Sequence, residues 1–424
     1  MDTYELIVYG CQMNDYDGEK LAGIMEEAGY RPAPPGDVAD VIVVYTCAVR
    51  ESATTRALGR ITSLARHKKS KPGIVIGVGG CWPAVEKAVI ESACPHVDFT
   101  FGTTNLEDVP ATVAAIRGTA APPLPDEAPL RRARWPRANV SIMRGCNNFC
   151  AYCVVPYARG PEVCRPVDDA LREVEELVGA GFKDITLIGQ NVNSYRYGDR
   201  SFADLLTKAD ALCDGVFLRF TTNHPRDVDD ETVAALGSCR NVARHLHLPL
   251  QSGSDAVLRA MKRDYDIGRY LDIISGVRKA VPGICLTTDV LVGFPGETED
   301  DFAATLGVVE RVRYDSAYVF MYSPRAGTAA AALADDVPRP EKVRRLQAVG
   351  ARQRAMALEI NEGMVGSEHP ALVEGPSRKK AGEYAGRLSE NKIVNFAGRA
   401  RPGEFVRLKI TGASSWTLRG EPAP

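Results

Sequence analysis

Several features are missing from this sequence of 424 residues, and each absence excludes a class of protein. No stretch approaches the roughly 18 uninterrupted apolar residues of a membrane-spanning helix. The residues from Met1 to Glu5 show no basic region followed by an apolar one, so no signal peptide is indicated and we expect a cytoplasmic protein. With 45% hydrophobic and 25% charged residues, the composition also excludes a disordered or collagen-like chain.

Charge is nearly balanced overall but unevenly distributed. The chain carries 52 basic and 54 acidic residues, a net charge of −2. From Arg339 onward there are 16 basic and 9 acidic residues, a net charge of +7, which leaves −9 on the preceding part. A basic C-terminal end on an acidic body favours an anionic partner such as nucleic acid. A solvated basic face is the alternative interpretation.

The first 118 residues have the pattern of a Rossmann-like parallel α/β domain. Apolar runs at 4–9, 39–46 and 74–80 alternate with helical segments, as in a parallel sheet covered by helices. Residues 119–136 are rich in proline and end in several arginines, so they predict a linker. These arginines and Arg137 are candidates for contact with a polyanion.

The remaining chain divides into two further domains. Residues 137–354 contain six apolar runs, beginning near 139, 184, 216, 244, 284 and 315. The helices between and after them are predicted near 167–180, 201–213, 228–237, 254–262, 267–280 and 298–313. Six βα units are too few for an eight-stranded barrel, so we predict a partial (βα)6 barrel of the TIM type. Residues 355–424 have short alternating runs broken by glycine and proline, typical of a small β-barrel that binds nucleic acid.

Eleven cysteines are many for a cytoplasmic chain, where disulfides are disfavoured. Cys146, Cys150 and Cys153 follow the first predicted barrel strand with C-x3-C-x2-C spacing. Three thiolates on one loop can bind three irons of a [4Fe–4S] cluster and leave the fourth iron open. Zinc is the first alternative, but it normally has four ligands in C-x2-C pairs. A ferredoxin-type electron carrier is the second, and it would need a fourth cysteine.

A second group of cysteines shares a topological position rather than a short spacing. Cys11, Cys47 and Cys81 each follow a predicted strand, and open α/β sheets place their sites at the carboxyl ends of strands. We therefore predict that the three converge on a second cluster, although each alone could be a buried core residue. His245 and His247 lie on one face of a predicted strand, where they either line a substrate site or belong to the core.

These residues resemble a known family. The loop with Cys146, Cys150 and Cys153 is the signature of radical S-adenosylmethionine enzymes. The runs 10–14 (GCQMN), 46–51 (TCAVRE) and 80–81 (GC) resemble the N-terminal domain of methylthiotransferases. The runs 154–160, 189–193, 220–226, 247–254 and 293–298 extend the resemblance over nearly the whole chain. It is closest to the bacterial tRNA methylthiotransferases that make 2-methylthio-N6-isopentenyladenosine, and the C-terminal barrel resembles their TRAM domain.

The resemblance implies the cofactors and the site residues. One [4Fe–4S] cluster would bind to Cys146, Cys150 and Cys153 and cleave S-adenosylmethionine. A second, auxiliary cluster on Cys11, Cys47 and Cys81 would hold the sulfur to be transferred. Contacts to S-adenosylmethionine are expected from Tyr152, Gly189, Gln190 and Asn191, and contacts to RNA from Arg378, Lys379 and Lys380. The implied partners are tRNA carrying N6-isopentenyladenosine and an electron donor such as a flavodoxin or ferredoxin, with the chain acting as a monomer and without a membrane.

Other functions stay open at this point. Related methylthiotransferases modify an aspartate of a ribosomal protein or threonylcarbamoyl-adenosine in tRNA. From a different class, an iron–sulfur electron carrier or a non-catalytic RNA-binding protein is conceivable, although the six-unit barrel and the open-iron motif argue against both. The chain departs from the family pattern at Tyr45, where Asn is expected, at Trp82-Pro83 after the third cysteine, and at Cys164, which is usually Ser.

Overall fold

The structure is a computed structural model that describes residues 2–49, 51–125, 128–377 and 380–423. Its N-terminal part is a five-stranded parallel sheet in the order β2-β1-β3-β4-β5, which confirms the predicted α/β class. The strands are β1 Thr3–Val8, β2 Arg31–Pro32, β3 Val41–Thr46, β4 Val75–Gly80 and β5 Phe99–Thr100. The helices are α1 Gln12–Glu27, α2 Glu51–Ser63, α3 Ala65–Ser70, α4 Cys81–Ala93 and α5 Asp108–Arg117.

Helices cover both faces of this sheet, because its central strands are apolar on both sides. Along β3, Ile42 and Val44 pack into one hydrophobic cluster, whereas Val41 and Val43 pack into another on the opposite face. Continuous apolar runs of this kind are typical of parallel strands buried on both faces.

The central part is an open barrel of six parallel strands in chain order, as the repeated βα pattern predicts. Two three-stranded sheets, β12-β9-β6 and β13-β14-β15, are joined by a bridge between Leu218 and Val242. The strands are β6 Arg137–Ser141, β9 Asp184–Ile188, β12 Phe217–Phe220, β13 His245–His247, β14 Cys285–Val292 and β15 Ser316–Met321. Two short hairpins are formed by β7 Met143–Arg144 with β8 Val163–Cys164, and by β10 Arg196–Tyr197 with β11 Arg200–Ser201.

The barrel helices begin where the sequence offers a cap. Ser201 and Thr298 each form a capping box with the acidic residue three positions later, and Asp229, Ser254 and Asp266 cap three further helices. The helices are α6 Val155–Arg159, α7 Val167–Gly179, α8 Phe202–Leu212, α9 Asp230–Ser238, α10 Asp255–Ala260, α11 Ile267–Ala280 and α12 Glu299–Val312. Single 3-10 turns lie at Val192–Ser194, Pro225–Asp227 and Ala329–Ala332.

The C-terminal part begins with a long helix, α13 Arg339–Glu362, and ends in a closed five-stranded barrel in the order β16-β17-β18-β20-β19. The strands are β16 Glu368–Pro376, β17 Glu383–Leu388, β18 Ile393–Ala397, β19 Phe405–Ala413 and β20 Leu418–Pro422. Position 354/355, where the sequence places a domain boundary, lies inside α13. Among the described helices, none combines the length and the apolar character that a membrane crossing needs.

Buried ion pairs and hydrogen bonds of arginine side chains join the three parts. Arg132 of the linker pairs with Glu19 on α1 and with Glu173 on α7. Arg219 on β12 pairs with Asp184 and donates to the carbonyl oxygens of Leu388 and Ser389 in the C-terminal barrel. Arg131, Arg134 and Arg137 also pair with carboxylates of the chain, namely Glu26, Asp15 and Glu374, but their side chains stay 45%, 52% and 37% exposed. Their contact with a polyanion therefore stays a prediction.

Candidate active site

The loop after β7 carries Cys146, Cys150 and Cys153, called the loop triad below. Gly145 precedes it with φ +77°, and a Cβ there would overlap the Pro161 carbonyl oxygen, so glycine is required. The Cys146 N–H donates to the Gly160 carbonyl at 3.2 Å, and the Cys153 N–H donates to the Cys150 carbonyl at 2.9 Å. These bonds close the loop and turn its three cysteines into one compact segment.

The thiols of the loop triad are close enough to influence one another. Burial is the main reason that the pKa of Cys146 is raised and that of Cys153 is raised to about 12, and Cys150 adds to both shifts. Arg263 is buried, and its Nη1 donates to Cys150 Sγ at 3.4 Å. A buried cation bound to one of three neighbouring thiols, two of them buried, fits an anionic cluster better than unrelated core cysteines.

Cys11, Cys47 and Cys81, called the sheet triad below, lie at the carboxyl ends of β1, β3 and β4, which are neighbours in the sheet. The strand order reverses between β1 and β3, so Cys11 and Cys47 flank the position where open α/β sheets bind ligands. Cys11 is the N-cap of α1 and Cys81 is the first residue of α4. Two helix N-termini therefore meet at this triad, and their backbone N–H groups and dipoles favour thiolates.

The thiols of the sheet triad are near enough to influence one another. Burial raises the pKa of Cys81 to about 12, and the neighbouring Cys47 and Cys11 raise it further. Gly80, which precedes Cys81, has φ +100°, and a Cβ at this position would overlap the Thr46 carbonyl oxygen. Only glycine permits this close approach of β4 to β3 directly before the cysteine.

A single metal ion and a [4Fe–4S] cluster require different spacings of the thiols. Within the described ranges, no group of three or more His, Cys, Asp or Glu residues is arranged to hold one metal ion. Tetrahedral zinc with Zn–S bonds of about 2.3 Å draws its sulfurs to within roughly 4 Å of each other. A [4Fe–4S] cluster binds each thiolate at a different iron, so its thiolates lie further apart.

A buried arginine also accompanies the sheet triad, although it comes from the barrel part of the chain. Arg159 is the last residue of α6, and its Nη2 donates to Asp17 Oδ2 at 2.8 Å and to Asn14 Oδ1 at 3.0 Å. The Tyr45 hydroxyl donates to the same Asp17 oxygen at 3.0 Å. The Cys11 thiol lies 3.7 Å from Asn14 Oδ1. Arg159 belongs to the run 154–160 that carries the resemblance, but no sequence signal indicates this contact.

Polar atoms without partners gather beside the loop triad. Within the described residues, buried side-chain atoms that lack a hydrogen-bond partner include Gln190 Oε1, Asn191 Oδ1, both amide atoms of Asn193, Asn223 Oδ1, His224 Nε2 and Arg263 Nη2. All but the last follow β9 or β12 in the chain, at the carboxyl ends of barrel strands, where barrel enzymes bind their ligands. Because unpaired buried polar groups are costly, this cluster fits a polar ligand such as S-adenosylmethionine.

The structure separates the four residues predicted to contact S-adenosylmethionine. Tyr152 lines a cavity of about 590 Å³ together with Cys153, Gln251, Asp289 and other residues of β14 and β15. Gly189, Gln190 and Asn191 do not line this cavity. A Cβ at Gly189 would overlap the Met143 side chain, so this glycine serves packing. Gln251 has φ +63° and Asp289 lies on β14; neither residue type nor spacing pointed to them.

The two strand histidines lie inside the barrel and have protein partners. His245 Nε2 and His247 Nδ1 lie 2.9 Å and 3.0 Å from the Thr287 hydroxyl. Burial holds the pKa of His245 well below its ordinary value, and nearby Arg219 adds to this effect. The contacts favour the interpretation of His245 as a satisfied core histidine.

The basic loop predicted to bind RNA is only partly described. Arg378 and Lys379 lie outside the described residues, and Lys380 pairs with Glu383 at 2.6 Å while its side chain stays 61% exposed. Other basic residues of the C-terminal barrel are bound to carboxylates: Arg387 to Glu374, Lys392 to Asp315 and Arg407 to Glu368. Trp416 is 69% exposed on the same barrel, and sequence analysis did not single it out.

Comparisons with known proteins cover the whole chain. The family described as "Radical SAM superfamily" matches residues 140–309, "Uncharacterized protein family UPF0004" matches residues 3–102, and "TRAM domain" matches residues 362–423. Among solved structures, a radical S-adenosylmethionine methyltransferase from Kitasatospora setae matches with a TM-score of 0.59 and 14% identity, covering 91% of this chain and 81% of that one. At this identity the likeness concerns the fold alone.

The open six-stranded barrel, the loop triad and the family match define a radical S-adenosylmethionine enzyme. Similarity to curated relatives identifies the family more narrowly. The tRNA-2-methylthio-N(6)-dimethylallyladenosine synthase of Carboxydothermus hydrogenoformans is 42% identical over 99% of this chain and 98% of its own length. That of Acidothermus cellulolyticus is 45% identical over 98% of this chain and 87% of its own. The chain belongs to the family of tRNA-2-methylthio-N(6)-dimethylallyladenosine synthases.

Proposed function

We propose that this protein attaches a methylthio group to C2 of N6-isopentenyladenosine next to the anticodon of tRNA. The observation that carries the proposal is the presence of two separate three-thiol sites, one on the barrel and one on the N-terminal sheet. An electron carrier would need neither the open barrel nor a second triad. The full-length similarity to relatives named for this reaction supports the same substrate.

The loop triad would hold the cluster that binds S-adenosylmethionine, and the sheet triad would hold the auxiliary cluster. When bound, these groups supply the one-electron chemistry and the sulfur that a polar mechanism cannot deliver to an aromatic C–H carbon. The protein's own residues bind and orient the reactants. Arg263 donates a hydrogen bond to Cys150 and offers a second, unpartnered N–H group to a ligand.

The ligands would occupy two regions beside the loop triad. The partnerless amide atoms of Gln190, Asn191 and Asn223 are suited to the polar groups of S-adenosylmethionine. The cavity beside Tyr152 and Cys153 has an apolar wall formed by Leu291, Val319 and Met321, which would exclude water around the adenine. An adenosine in the anticodon loop must leave its stack to enter such a cavity.

The C-terminal barrel would bind the sugar–phosphate backbone of the tRNA. Lys380 is exposed and Trp416 offers a surface for base stacking, whereas several other basic side chains are neutralised by carboxylates. We further propose a flavodoxin or ferredoxin as the electron donor and a monomeric enzyme that acts in the cytoplasm. The similarity to enzymes of tRNA supports this location.

A reaction with matched substrates tests the proposal. The protein, reconstituted with iron and sulfide without oxygen, is incubated with S-adenosylmethionine, a reductant and tRNA that carries or lacks the isopentenyl group. Mass spectrometry of the nucleosides is expected to find the methylthio product only in the first tRNA. Product from threonylcarbamoyl-adenosine tRNA or from a ribosomal protein instead would assign the chain to a related methylthiotransferase. S-adenosylmethionine left intact under all conditions would refute the enzyme assignment.

A further inference from the structure

Helix α6 physically connects the two triads. It begins two residues after Cys153, and its last residue, Arg159, reaches the sheet triad. Val154 and Ala158 pack in the same hydrophobic cluster as Cys81 and Trp82 of the N-terminal part. The Ala158 carbonyl also accepts a hydrogen bond from the Thr103 hydroxyl at 3.0 Å. The segment after the loop triad is therefore built into the core of the domain that carries the sheet triad.

The ion pair between Arg159 and Asp17 is almost completely withdrawn from water. Their side chains are 5% and 12% exposed, and the two atoms are 2.8 Å apart. A buried pair of this kind is weak evidence for stability, because desolvation of both charges offsets their attraction. The groups that surround this ion pair are therefore more informative than its contribution to folding.

Asn14 links this pair to the thiols. Arg159 shares Nη2 between Asp17 and Asn14, and Asn14 Oδ1 lies beside Cys11. Asp17 is held in turn by the Tyr45 hydroxyl, which donates to its Oδ2 atom at 3.0 Å. Asn14 is also fixed by its amide group, which donates to the Tyr9 carbonyl at 3.0 Å. The guanidinium therefore has one fixed position and little freedom to move away from the triad.

We propose that Arg159 is a positioning residue of the auxiliary cluster. It holds a fixed positive charge next to the sheet triad, while Asn14, Asp17 and Tyr45 fix the orientation of its guanidinium. This inference rests on the proposed function, because it assumes that the sheet triad binds a cluster. Tyr45 stands where the family pattern has Asn, so part of this arrangement is particular to this chain.

The arrangement predicts the redox behaviour of the auxiliary cluster. A nearby positive charge favours addition of an electron to a buried anionic cluster, and a negative charge opposes it. Replacing Arg159 by Met should therefore lower the reduction potential. Replacing Asp17 by Asn leaves the guanidinium less compensated and should raise the potential. A merely structural role would not predict opposite directions for the two partners of one ion pair.

The test measures this potential in the full-length chain. Cys146, Cys150 and Cys153 are all replaced by Ala, so that the auxiliary cluster gives the only iron–sulfur signal, and its reduction is followed by electron paramagnetic resonance. With Arg159→Met we expect a shift of about 60 mV to lower potential, which corresponds to a tenfold change in a one-electron equilibrium. Asp17→Asn is expected to shift the reduction potential of the cluster to a higher value. Arg159→Lys keeps the positive charge, so its potential should lie close to that of the unchanged chain.

Arg132→Met is the matched control. Arg132 is also a buried arginine that joins the N-terminal part to the barrel, but its partners are Glu19 and Glu173 rather than residues beside a triad. The potential should stay unchanged in this variant. The inference is overturned if Arg159→Met and Asp17→Asn shift the potential in the same direction or not at all, or if Arg132→Met gives an equal shift. Should Arg159→Met fail to fold, the isosteric Asp17→Asn decides by its sign.

Failure of the sheet triad to bind a cluster can be distinguished from failure of the proposed role of Arg159. If the chain lacking the loop triad binds no cluster while Arg159 is intact, the sheet triad is not a cluster site. That result would refute the assignment under the proposed function, and this inference with it. Normal cluster binding with an unchanged potential would refute the role of Arg159 alone.

Discussion

The loop triad and the sheet triad each consist of three cysteines, but the fold assembles them in two different ways. In the loop triad, Cys146 to Cys153 belong to one short segment closed by local hydrogen bonds. In the sheet triad, Cys11, Cys47 and Cys81 are far apart in sequence and meet because β1, β3 and β4 are neighbours with aligned carboxyl ends. The first arrangement depends on the conformation of a loop, whereas the second depends on the folding of a whole domain.

A buried arginine lies near each triad, but the two arginines come from different parts of the chain relative to their cysteines. Arg263 approaches the loop triad from the turn after α10, within the same barrel. Arg159 approaches the sheet triad from α6, outside the domain that carries the cysteines. The comparison teaches that the triad assembled by topology also depends on the second domain, while the triad assembled by a loop is complete within one domain.

The largest expected effect comes from removing one thiol of the loop triad. Cys150→Ala should abolish reductive cleavage of S-adenosylmethionine, because an open-iron cluster needs all three thiolates. The iron content should fall by about half, from two [4Fe–4S] clusters to one. Measurements of 5′-deoxyadenosine and of iron check this expectation. The control is Cys164→Ser, which changes a cysteine outside both triads; cleavage at the native rate in Cys150→Ala would show that the loop triad is not the site.

The same change in the sheet triad should separate the two activities. Cys47→Ala is expected to retain cleavage of S-adenosylmethionine and to lose the methylthio product, because the two triads hold different clusters. Iron should again fall by about half. The measurement compares 5′-deoxyadenosine with modified nucleoside in the same reaction. Loss of both activities in a folded variant would mean that the triads are not independent, and the contrast between them would fail.

Glycine substitutions should affect each triad through its backbone. Gly145→Ala and Gly80→Ala each force an alanine into a positive φ and against a carbonyl oxygen, at a cost on the order of 1–3 kcal/mol or more. We expect Gly145→Ala to weaken iron binding at the loop triad only, and Gly80→Ala at the sheet triad only.

The control for these substitutions is Gly118→Ala. Gly118 has φ +67° at the end of α5, and a Cβ there would meet no atom within 4 Å, so the strain comes without an overlap. This variant should bind iron normally and lose only about 1 kcal/mol of stability. Equal iron loss in all three variants would point to general destabilisation instead of local control of the triads.

Much of this site could be predicted from the sequence. The spacing of Cys146, Cys150 and Cys153 is local, and the strand-end position of Cys11, Cys47 and Cys81 follows from the alternation of strands and helices. Arg159 and Arg263 could not be predicted, because tertiary packing alone brings them to the thiols. The partners of the linker residue Arg132 could not be predicted either, since Glu19 and Glu173 lie on distant helices. Assignment of ligand contacts to Gln190 and Asn191 stays a prediction.

The smallest expected effect concerns the ligand side of the loop triad. His224 follows β12, accepts a hydrogen bond from the Arg226 N–H at its Nδ1 and packs against Tyr265. Burial is the main reason that its pKa is lowered to about 2, and the charges of Arg263 and Arg226 lower it further. His224 is therefore neutral in the folded protein, with Nε2 as a donor that can face a ligand.

This lowered pKa makes stability depend on pH in a defined direction. Below about pH 6.5 the unfolded chain binds a proton at His224 that the folded chain does not, so the free energy of unfolding falls as the pH falls. The slope is at most about 1.4 kcal/mol per pH unit and vanishes above pH 6.5. Urea unfolding of the metal-free chain at pH 7.5 and 5.5 should show a smaller acid loss for His224→Gln than for the unchanged chain. Equal losses would mean that His224 takes up its proton in the folded state as well, and that the polar cluster beside the loop triad is open to water.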